Sequence, residues 1–445
     1  MDFYIPDYIN TILNKLEKAG YKSYIVGGSV RDLILGKTPH DYDITTSATP
    51  DEIQRIFKDF KTLAVGKQFG TVVVVQGENN TEITTFRLES KYLDGRRPSE
   101  VSFSDDIYED LSRRDFTINA IAYNEKEGAI DLFNGQKDIE DKIIRCVGIP
   151  KERFSEDHLR ILRAVRFSTQ LGFEIHEDTY NACKDLSSSL NGISAERIRE
   201  ELFKILLSEN PSNGIKLMKD LNILEIVIPE LIDAVGFDQK NPNHDKDVFE
   251  HTMCVLDRTL PILSVRLAAL FHDIGKPRTL SVDEKGIGHF YGHDKLGAKI
   301  AEKILLRFNS SRELIDKVTI MIKEHMSHHN KMKDRGLKRQ IRRVGKDDIF
   351  NLLELQKADR LCSSDDVDIT FLFEREEEIR SILDSNEPYE KSHLKISGND
   401  IIDLGFEKGK IVGEILDYLL EKVMKNPELN EKEKLLDIVR ERYKV

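Results

Sequence analysis

The sequence predicts an α+β protein in which a mixed head is followed by helices. Up to about residue 145, strand-like stretches such as "GTVVVVQ" alternate with helical ones. From residue 155 onward, apolar residues recur with the helical period and strand patterns almost disappear. A chain of 445 residues is also too long for one compact core, which favours several domains.

Changes in sequence pattern divide the chain into four predicted domains. Breaks rich in proline, glycine and polar residues separate the later ones. The predicted domains are residues 1–145, the mixed head; 146–235, a helical neck; 245–365, a histidine-rich helical block; and 366–445, a helical tail.

The elements of the head follow from local patterns. Residues 1–20 have the spacing of an amphipathic helix. "SYIVGGSVRDLILG" runs from a strand through a Gly-Gly turn into a helix, and "HDYDITTSATP" alternates as a strand does. Thr49 is a predicted N-cap whose capping box is completed by Glu52. "GTVVVVQ" and "TEITTFRLES" then read as two strands.

Composition and charge indicate a cytoplasmic protein without membrane spans. The N-terminus lacks the basic start of a signal peptide, and no apolar run reaches about 18 residues. The cysteines are separated and form no CxxC motif, which argues against a disulfide framework and suits a reducing compartment. They are Cys146, Cys183, Cys254 and Cys362. Nothing in the sequence indicates the oligomeric state.

The net charge of −12 counts mildly against a nucleic-acid partner, although binding depends on local patches. One basic stretch, "KMKDRGLKRQIRRVGK" (331–346), is a candidate patch of that kind. A solvated helix face explains the same stretch equally well.

Asp41 and Asp43 lie two residues apart in a strand-like stretch and would project from the same face. Two adjacent carboxylates are costly to hold together unless a cation joins them. Mg²⁺ prefers such oxygen ligands and keeps positions open for substrate phosphates. Gly27 and Gly28 let backbone amides approach a triphosphate, and Arg31 could neutralise phosphate charge. Each motif alone is common in surface turns, but together they indicate a nucleotide site.

"GGSVRDLILGKTPHDYDI" resembles the opening motif of polymerase-beta-type nucleotidyltransferases, and most closely that of tRNA CCA-adding enzymes and poly(A) polymerases of the eubacterial/eukaryotic class. "EDLSRRDFTINAIAYN", "EDHLRILRAVRFSTQLGF" and "SAERIREEL" resemble the next three motifs of that family, in the expected order. The resemblance implies a polymerase-beta-like head, catalytic Asp41 and Asp43 with Mg²⁺, and tRNA, CTP and ATP as partners.

The same resemblance assigns roles to residues of the later motifs. Arg114 and Asp115 would contact the ribose and phosphates of the incoming nucleotide. Asp157 and Arg160 would read the Watson–Crick edge of cytosine or adenine in place of a nucleic-acid template. Supporting nucleotide-binding residues would be Glu156, Arg163 and Arg166.

From the residues alone, a simpler interpretation of the template motif stays open. Ser155 is a good N-cap for a helix, and Asp157 and Arg160 are then an ordinary i,i+3 ion pair on one helix face.

Two further segments take their expected roles from the family. Asp94–Gly95–Arg96–Arg97–Pro98 reads as an exposed loop, and in the family a flexible loop at this place accompanies the switch from CTP to ATP. The tail would contact tRNA away from its acceptor end.

The block from 245 to 365 concentrates histidines, which suits a metal site of Mn, Ni, Fe, Co or Zn. The candidate ligands are His251, His272, Asp273, His289, His293, His325, His328, His329 and Asp359. Their order resembles the HD phosphohydrolase superfamily. In that family the first metal would be bound by His251, His272, Asp273 and Asp359, while His293 and His325 would serve a second metal or contact phosphate.

The leading functional hypothesis is template-independent addition of C, C and A to the tRNA 3′ end, with phosphohydrolase activity on RNA ends as a further function of the HD block. Two alternatives stay open. One is a poly(A) polymerase or A-adding enzyme with the same motifs. The other is an HD phosphohydrolase whose head only binds nucleotide.

Overall fold

The structure is a computed structural model that describes residues 3–89, 101–240, 246–329, 332–363, 367–385 and 387–444. It divides into two compact units, Met1–Val227 and Ile228–Val445. The predicted loop at residues 94–98 lies outside the described residues. Within the described part of the chain, every helix is too short or too polar to traverse a bilayer.

The first unit contains a seven-stranded sheet, two smaller strand pairs and helices. Its strands are β1 Ser23–Val26, β2 Asp43–Thr46, β3 Lys61–Gly66, β4 Thr71–Gln76, β5 Asn79–Thr85, β6 Arg87–Glu89, β7 Val101–Phe103, β8 Ile121–Asn124, β9 Gly128–Asp131, β10 Ile143–Ile144 and β11 Glu174–Ile175. Its helices are α1 Asp7–Lys18, α2 Gly28–Ile34, α3 Pro50–Ile56, α4 Ile107–Ser112, α5 Gly135–Glu140, α6 Pro150–Glu156, α7 Leu159–Leu171, α8 Glu177–Asp185, α9 Ala195–Leu206, α10 Pro211–Asp220 and α11 Leu224–Val227.

The large sheet has the strand order β3-β4-β5-β2-β1-β8-β9. Its neighbours pair antiparallel, except that β2 and β5 run parallel. This parallel pair sets Asp43 beside Glu82. Residues paired across two strands point to the same face, so the two carboxylates share one face of the sheet.

Two helices of the first unit, α1 and α3, form where the sequence pattern places them. On α1 the four apolar residues spaced one turn apart are all buried, namely Ile9, Ile12, Leu13 and Leu16. The predicted capping box is present at the start of α3. The side chain of Thr49 accepts from the backbone amide of Glu52, and the side chain of Glu52 accepts from the backbone amide of Thr49. Both observations confirm the corresponding predictions.

The second unit is helical apart from one short hairpin, β12 Ser281–Val282 with β13 Gly288–His289. Its helices are α12 Val248–Arg258, α13 Leu263–Phe271, α14 His293–Arg307, α15 Arg312–Glu324, α16 Asp334–Val344, α17 Ile349–Ser363, α18 Thr370–Asp384, α19 Gly398–Asp403, α20 Lys410–Val423 and α21 Lys432–Tyr443. The succession of a mixed head and a helical remainder confirms the α+β prediction.

A buried ion pair joins α7 to α9 in the first unit. Nε of Arg166 donates to a carboxylate oxygen of Glu201 at 2.5 Å, and both side chains are at least nine-tenths buried. The guanidinium also stacks on the ring of Phe167, 3.9 Å from its centroid. A pair held this far from water is stable only while both charges are present.

We therefore expect Arg166→Met to destabilise the first unit by about 3–5 kcal/mol, because Glu201 would be left buried and unpaired. The double variant Arg166→Met/Glu201→Leu should regain most of that loss. Urea unfolding followed by circular dichroism measures both.

The exposed pair Lys151–Asp185 supplies the matched control. Lys151→Met should change the free energy of unfolding by at most about 1 kcal/mol. Simple addition of the two single losses in the Arg166/Glu201 double variant would show that the pair is not coupled.

Candidate active site and candidate metal centre

The Gly-Gly turn brings an arginine against the backbone at the end of β1. Gly27 has φ +79°, a conformation that favours glycine, and a Cβ added there would lie 3.0 Å from Nη1 of Arg114. At Gly28 a Cβ would lie 3.4 Å from Nη2 of Arg31. Small residues at this turn therefore leave room for two guanidinium groups.

The paired aspartates are arranged differently from the prediction. Asp43 begins β2, as expected, but Asp41 lies in the bend before the strand and not within it. Tyr42 between them is buried while both aspartates are exposed, so the two carboxylates still face the same side. The prediction of a shared face is met without a continuous strand.

Glu82 is a third carboxylate beside Asp41 and Asp43, and no motif in the sequence pointed to it. The pKa of Glu82 is raised by desolvation and by the charges of Asp43 and Asp41. Desolvation also raises the pKa of Asp43, while Arg114 opposes that shift and Asp41 adds to it. Only the pairing of β2 with β5 brings Glu82 here, and no spacing in the sequence shows that pairing.

Crowded carboxylates of this kind match the oxygen donors that Mg²⁺ prefers. Each raised pKa reports an unfavourable negative charge, which a divalent cation would relieve. The residues present therefore fit a magnesium site.

Asp115 is the centre of a buried hydrogen-bond network. Its carboxylate accepts from Nε and Nη2 of Arg163, at 2.8 and 2.5 Å, and from Nδ2 of Asn119 at 3.1 Å. Oδ1 of Asn119 in turn accepts from Nη1 of Arg31 at 2.8 Å. Burial alone would raise the pKa of Asp115, but Arg163 and Asn119 outweigh it and the pKa is lowered.

This network unites residues of three motifs that the sequence separates. Arg31 comes from the opening motif, Asp115 from the second and Arg163 from the template motif. Asn119 was missed, although it lies within the quoted second motif and an amide four residues after an aspartate is a signal for such a contact.

Arg113 and Arg114 are both anchored on Asp110, a buried carboxylate on α4. Nη2 of Arg113 donates to Asp110 at 2.6 Å and Nη2 of Arg114 at 3.0 Å. Two guanidinium groups lower the pKa of Asp110 although its burial raises it. Asp110 therefore holds Arg114 in place beside the Gly27 turn.

The template motif differs most from its prediction. Ser155 is not an N-cap, because it lies inside α6 and donates to the carbonyl of Lys151. Asp157 stands between α6 and α7 in an extended conformation, and its Oδ1 accepts from the amide of Leu159. The alternative interpretation, an i,i+3 ion pair of Asp157 with Arg160 on one helix, is therefore wrong, while the predicted reading of the base by these two residues stays a prediction.

Each member of the template pair has its own support instead. Both guanidinium nitrogens of Arg197 on α9 donate to Asp157, at 3.2 and 2.8 Å. Arg160 donates to Glu156 at 2.8 Å and to the carbonyl of Arg113 at 2.9 Å. Arg197 was missed as a functional residue, although it lies in the quoted fourth motif.

Of the other predicted nucleotide contacts, Arg163 lies in the Asp115 network, and Glu156 bonds Arg160 and Arg153. Arg166 is engaged by Glu201 as described above. The nucleotide contacts predicted for these three residues stay predictions.

In the second unit, two groups of possible ligands share one carboxylate. The first is His251, His272 and Asp273, and the second is Asp273, His293 and His325. Within each group the possible ligand atoms lie within 4.8 Å of one another, and every member is buried. Asp359 adds to the first group, with Oδ1 3.1 Å from Nε2 of His251.

The two oxygens of Asp273 face opposite groups. Oδ2 lies 3.2 Å from Nε2 of His272 and 3.6 Å from Nε2 of His251. Oδ1 lies 3.5 Å from Nε2 of His293 and 3.8 Å from Nε2 of His325. Asp273 would therefore be available to a cation held by either histidine group.

The donor set also fits a cation on its own chemistry. Oδ2 of Asp273 is buried without a hydrogen-bond partner among the described residues, although the Lys276 ammonium lies 2.7 Å away. The Nδ1 ring nitrogens of His272, His293 and His325 each lie 2.6–2.8 Å from a backbone carbonyl. Such bonds leave Nε2 as the ligand atom.

Protonation within this cluster follows from burial and neighbouring charge. Burial and the nearby His272 lower the pKa of His325 to about 3, so that it is neutral, the form that binds a metal. Burial would also lower the pKa of His272, but Asp273 outweighs it and the pKa is raised.

Other predicted ligands lie elsewhere or cannot be described. His289 pairs with Asp283 at 3.1 Å on the exposed hairpin and is not among the grouped ligands. The side chains of His328 and His329 lie outside the described residues. Lys276 and Gln239 were missed; Nζ of Lys276 donates to Oε1 of Gln239 at 2.9 Å.

The basic stretch is a solvated, ion-paired helix face. On α16, Arg335 and Arg339 both pair with Glu421, and Arg342 pairs with Asp417 on the same helix α20. Arg343 pairs with Glu324 at 2.7 Å. Since acids of the same unit occupy these guanidinium groups, the simpler of the two interpretations is the one the structure favours.

The separated cysteines include one pair. Cys254 and Cys362 form a disulfide between α12 and α17, while Cys146 and Cys183 are free and buried. The expectation that none of the cysteines would pair is therefore wrong. Cys254 and Cys362 are 108 positions apart, and the sequence does not show that α12 and α17 pack together.

Three domain families match the chain in succession. Residues 23–145 match the poly A polymerase head domain, residues 172–235 the probable RNA and SrmB-binding site of polymerase A, and residues 248–364 the HD domain.

Two curated relatives are CCA-adding enzymes. That of Staphylococcus epidermidis is 48% identical over 227 residues, which is 51% of this chain and 56% of the relative. That of Ligilactobacillus salivarius is 50% identical over 222 residues, 49% of this chain and 54% of the relative. The chain thus spans about half the length of the curated relatives it matches.

A solved structure extends the likeness to the whole chain. The Bacillus stearothermophilus CCA-adding enzyme in complex with CTP is 27% identical with a TM-score of 0.74, and the alignment covers 99% of this chain and 100% of that one. Three domain matches in order, two relatives near 50% identity over half of the chain, and this common fold make the chain similar to CCA-adding enzymes.

Proposed function

We propose that this chain is a nucleotidyltransferase that adds C, C and A to the 3′ end of tRNA from CTP and ATP, in the cytoplasm. The observation that carries the proposal is the support of Asp157 and Arg160. Arg197 fixes the carboxylate, while Glu156 and the carbonyl of Arg113 fix the guanidinium.

This arrangement supplies what base selection without a nucleic-acid template needs. A fixed carboxylate accepts from the exocyclic amine of cytosine or adenine, and a fixed guanidinium donates to their ring acceptors. Uracil and guanine present other patterns at the same atoms. Because Arg160 also bonds the carbonyl of Arg113, base reading is connected to the motif of Arg114 and Asp115.

Asp41 and Asp43, with Glu82 beside them, would hold Mg²⁺. The ion would supply neutralisation of triphosphate charge and acidification of the attacking 3′-hydroxyl. The chain's own residues position the nucleotide: Arg31 and Arg114 lie at the Gly27 turn, where phosphate charge can be met. The C-terminal helices would contact tRNA away from the acceptor end.

We propose a second function for the HD block, metal-dependent hydrolysis of phosphoesters at RNA ends. The observation that favours it is Asp273, whose two oxygens face two histidine groups. A transition metal among Mn, Ni, Fe, Co and Zn suits imidazole and carboxylate ligands. Bound there, it would supply an activated water, and Lys276 would offer positive charge to a phosphate.

Of the three predictions about function, the first tests CCA addition on a tRNA transcript that ends at the discriminator base. With Mg²⁺, we expect two added residues with CTP alone and three with CTP plus ATP, sized on a sequencing gel. Asp43→Asn should lower the rate by at least about a thousandfold, because the carboxylate pair is lost.

Asp51→Asn, an exposed aspartate on α3, is the control and should leave the rate unchanged. A ladder with ATP alone would identify a poly(A) polymerase instead. Failure to extend any transcript would contradict the proposal and leave the hydrolase interpretation.

The second prediction concerns Arg197 as a positioning residue. In Arg197→Ala the Asp157 carboxylate loses both guanidinium donors and keeps the amide of Leu159, so discrimination of CTP against UTP, measured as the ratio of kcat/KM, should fall about 10–100-fold. Arg197→Lys should restore part of it. Glu200→Ala on the same helix is exposed and should keep the wild-type ratio. An unchanged ratio in Arg197→Ala would show that Arg197 serves stability alone.

The third prediction separates the HD site from the head. His272→Ala/Asp273→Ala should lose Mn²⁺ or Ni²⁺ binding in calorimetry and hydrolysis of a 2′,3′-cyclic nucleotide. The double variant should retain CCA addition. His289→Ala, an exposed histidine of the same block, should retain all three properties. Hydrolysis that survives in the double variant would place the activity elsewhere.

A further inference from the structure

Two cysteines lie one helical turn beyond two of the proposed metal ligands. Cys254 follows His251 on α12, and Cys362 follows Asp359 on α17. Residues one turn apart occupy the same side of a helix. Each cysteine therefore belongs to the helix face that delivers a ligand.

The two cysteines are joined across these helices. Their Cα atoms are 5.9 Å apart, within the range that a disulfide bridges without backbone movement. Nδ1 of His251 lies 3.4 Å from the carbonyl oxygen of Cys362, so one cysteine also contacts a ligand's ring. The cross-link spans 108 positions of the chain and ties α12 to α17 next to the cluster.

The surroundings of the pair favour thiol chemistry. Nη1 of Arg258 lies 2.7 Å from Sγ of Cys254 and 3.4 Å from Sγ of Cys362. The Arg258 guanidinium therefore lies beside both sulfurs, where it can stabilise the negative charge that develops on sulfur during thiol–disulfide exchange. Cys254 is partly exposed, so a small reagent can reach it.

The other two cysteines have the opposite surroundings. Both are buried and unpaired, and burial raises the pKa of Cys146 to about 12 and that of Cys183 further. A buried thiol that stays protonated is inert. Reactivity is thus concentrated at the pair beside the proposed metal ligands.

We propose that Cys254 and Cys362 form a reversible dithiol–disulfide pair that sets how firmly the cluster holds its metal. The inference rests on the proposed metal centre. In the oxidised form the cross-link holds His251 and Asp359 in ligand geometry. In the reduced form α12 and α17 can separate, and the ligands are less well organised before the metal binds.

A low-molecular-weight disulfide is the oxidant that converts the two thiols into the disulfide. The thiolate of Cys254 attacks one sulfur of that disulfide and releases the first small thiol. The thiolate of Cys362 then attacks the mixed disulfide and releases the second. Two electrons pass from the cysteine sulfurs to the two released thiols, which take up the two protons. Since the composition favours a reducing compartment, where disulfides are usually transient and redox-sensing, reversibility is expected.

The first measurement counts thiols in the full chain after incubation with oxidised or reduced glutathione. Alkylation under denaturing conditions and mass spectrometry should show two modified cysteines in the oxidised protein, Cys146 and Cys183, and all four in the reduced protein. Four modified cysteines in both conditions would overturn the proposal.

The second measurement is calorimetric titration of both forms with Mn²⁺, after glutathione has been removed. The oxidised form should bind about tenfold more tightly, the lower end of the effect of groups that orient metal ligands. Cys254→Ala/Cys362→Ala should bind like the reduced form under both conditions. Cys183→Ala is the matched control and should keep the redox difference.

The possible failures are distinguishable. Equal Mn²⁺ affinity of the two forms, with the disulfide present, overturns the coupling and leaves the metal centre intact. Absence of Mn²⁺ binding in both forms overturns the metal centre and the coupling together, while the thiol count still decides whether the pair exchanges.

Discussion

The carboxylate of Asp115 is the constraint on which the first site depends. It is buried, it carries a negative charge, and three donors stabilise that charge: Arg163, Asn119 and the amide of Phe116. Through Asn119 the same network reaches Arg31. This single buried anion therefore fixes three segments relative to one another: the turn after β1, the second motif and helix α7. If it were lost, the guanidinium groups around it would be left without a counter-charge in a poorly solvated place.

The second unit follows the same principle, with imidazoles and an ammonium group around the carboxylate in place of a guanidinium group and an amide. Asp273 is surrounded by imidazoles and the Lys276 ammonium, and four helices or helix ends supply the groups that face it. In both units the candidate site surrounds a carboxylate that the protein holds out of water, with donors arranged around it. Burying a carboxylate costs free energy, so its oxygens have to be hydrogen-bonded or paired with positive charge.

The sequence was sufficient for properties that depend on local pattern. The amphipathic face of α1, the capping box at Thr49 and the change from mixed to helical structure are set by residues within a few positions of one another. Motif order identified which segments meet, because the family resemblance carries that information. It did not identify partners: Glu82 reaches Asp43 only through the parallel pairing of β2 with β5.

Sequence-based interpretations were wrong where a residue of the folded protein bonds a partner that is distant in the sequence. Spacing allowed an i,i+3 ion pair of Asp157 with Arg160 as an alternative, yet the helix begins after Asp157 and Arg197 on α9 pairs with its carboxylate. The separation of Cys254 and Cys362 in the sequence argued against a disulfide framework, yet α12 and α17 pack side by side and bring these two cysteines together. In both cases chain separation was a poor guide because tertiary packing decides which atoms meet.

The ion pairs between α16 and α20 have a consequence for how the tail shapes the protein's surface. Arg335, Arg339 and Arg342 are occupied by Glu421 and Asp417, so carboxylates of α20 neutralise the basic face of α16. A chain shortened before α20 would lose those carboxylates and leave three guanidinium groups of one helix without these partners. The charge of this face is therefore set by α20 as much as by the basic stretch itself.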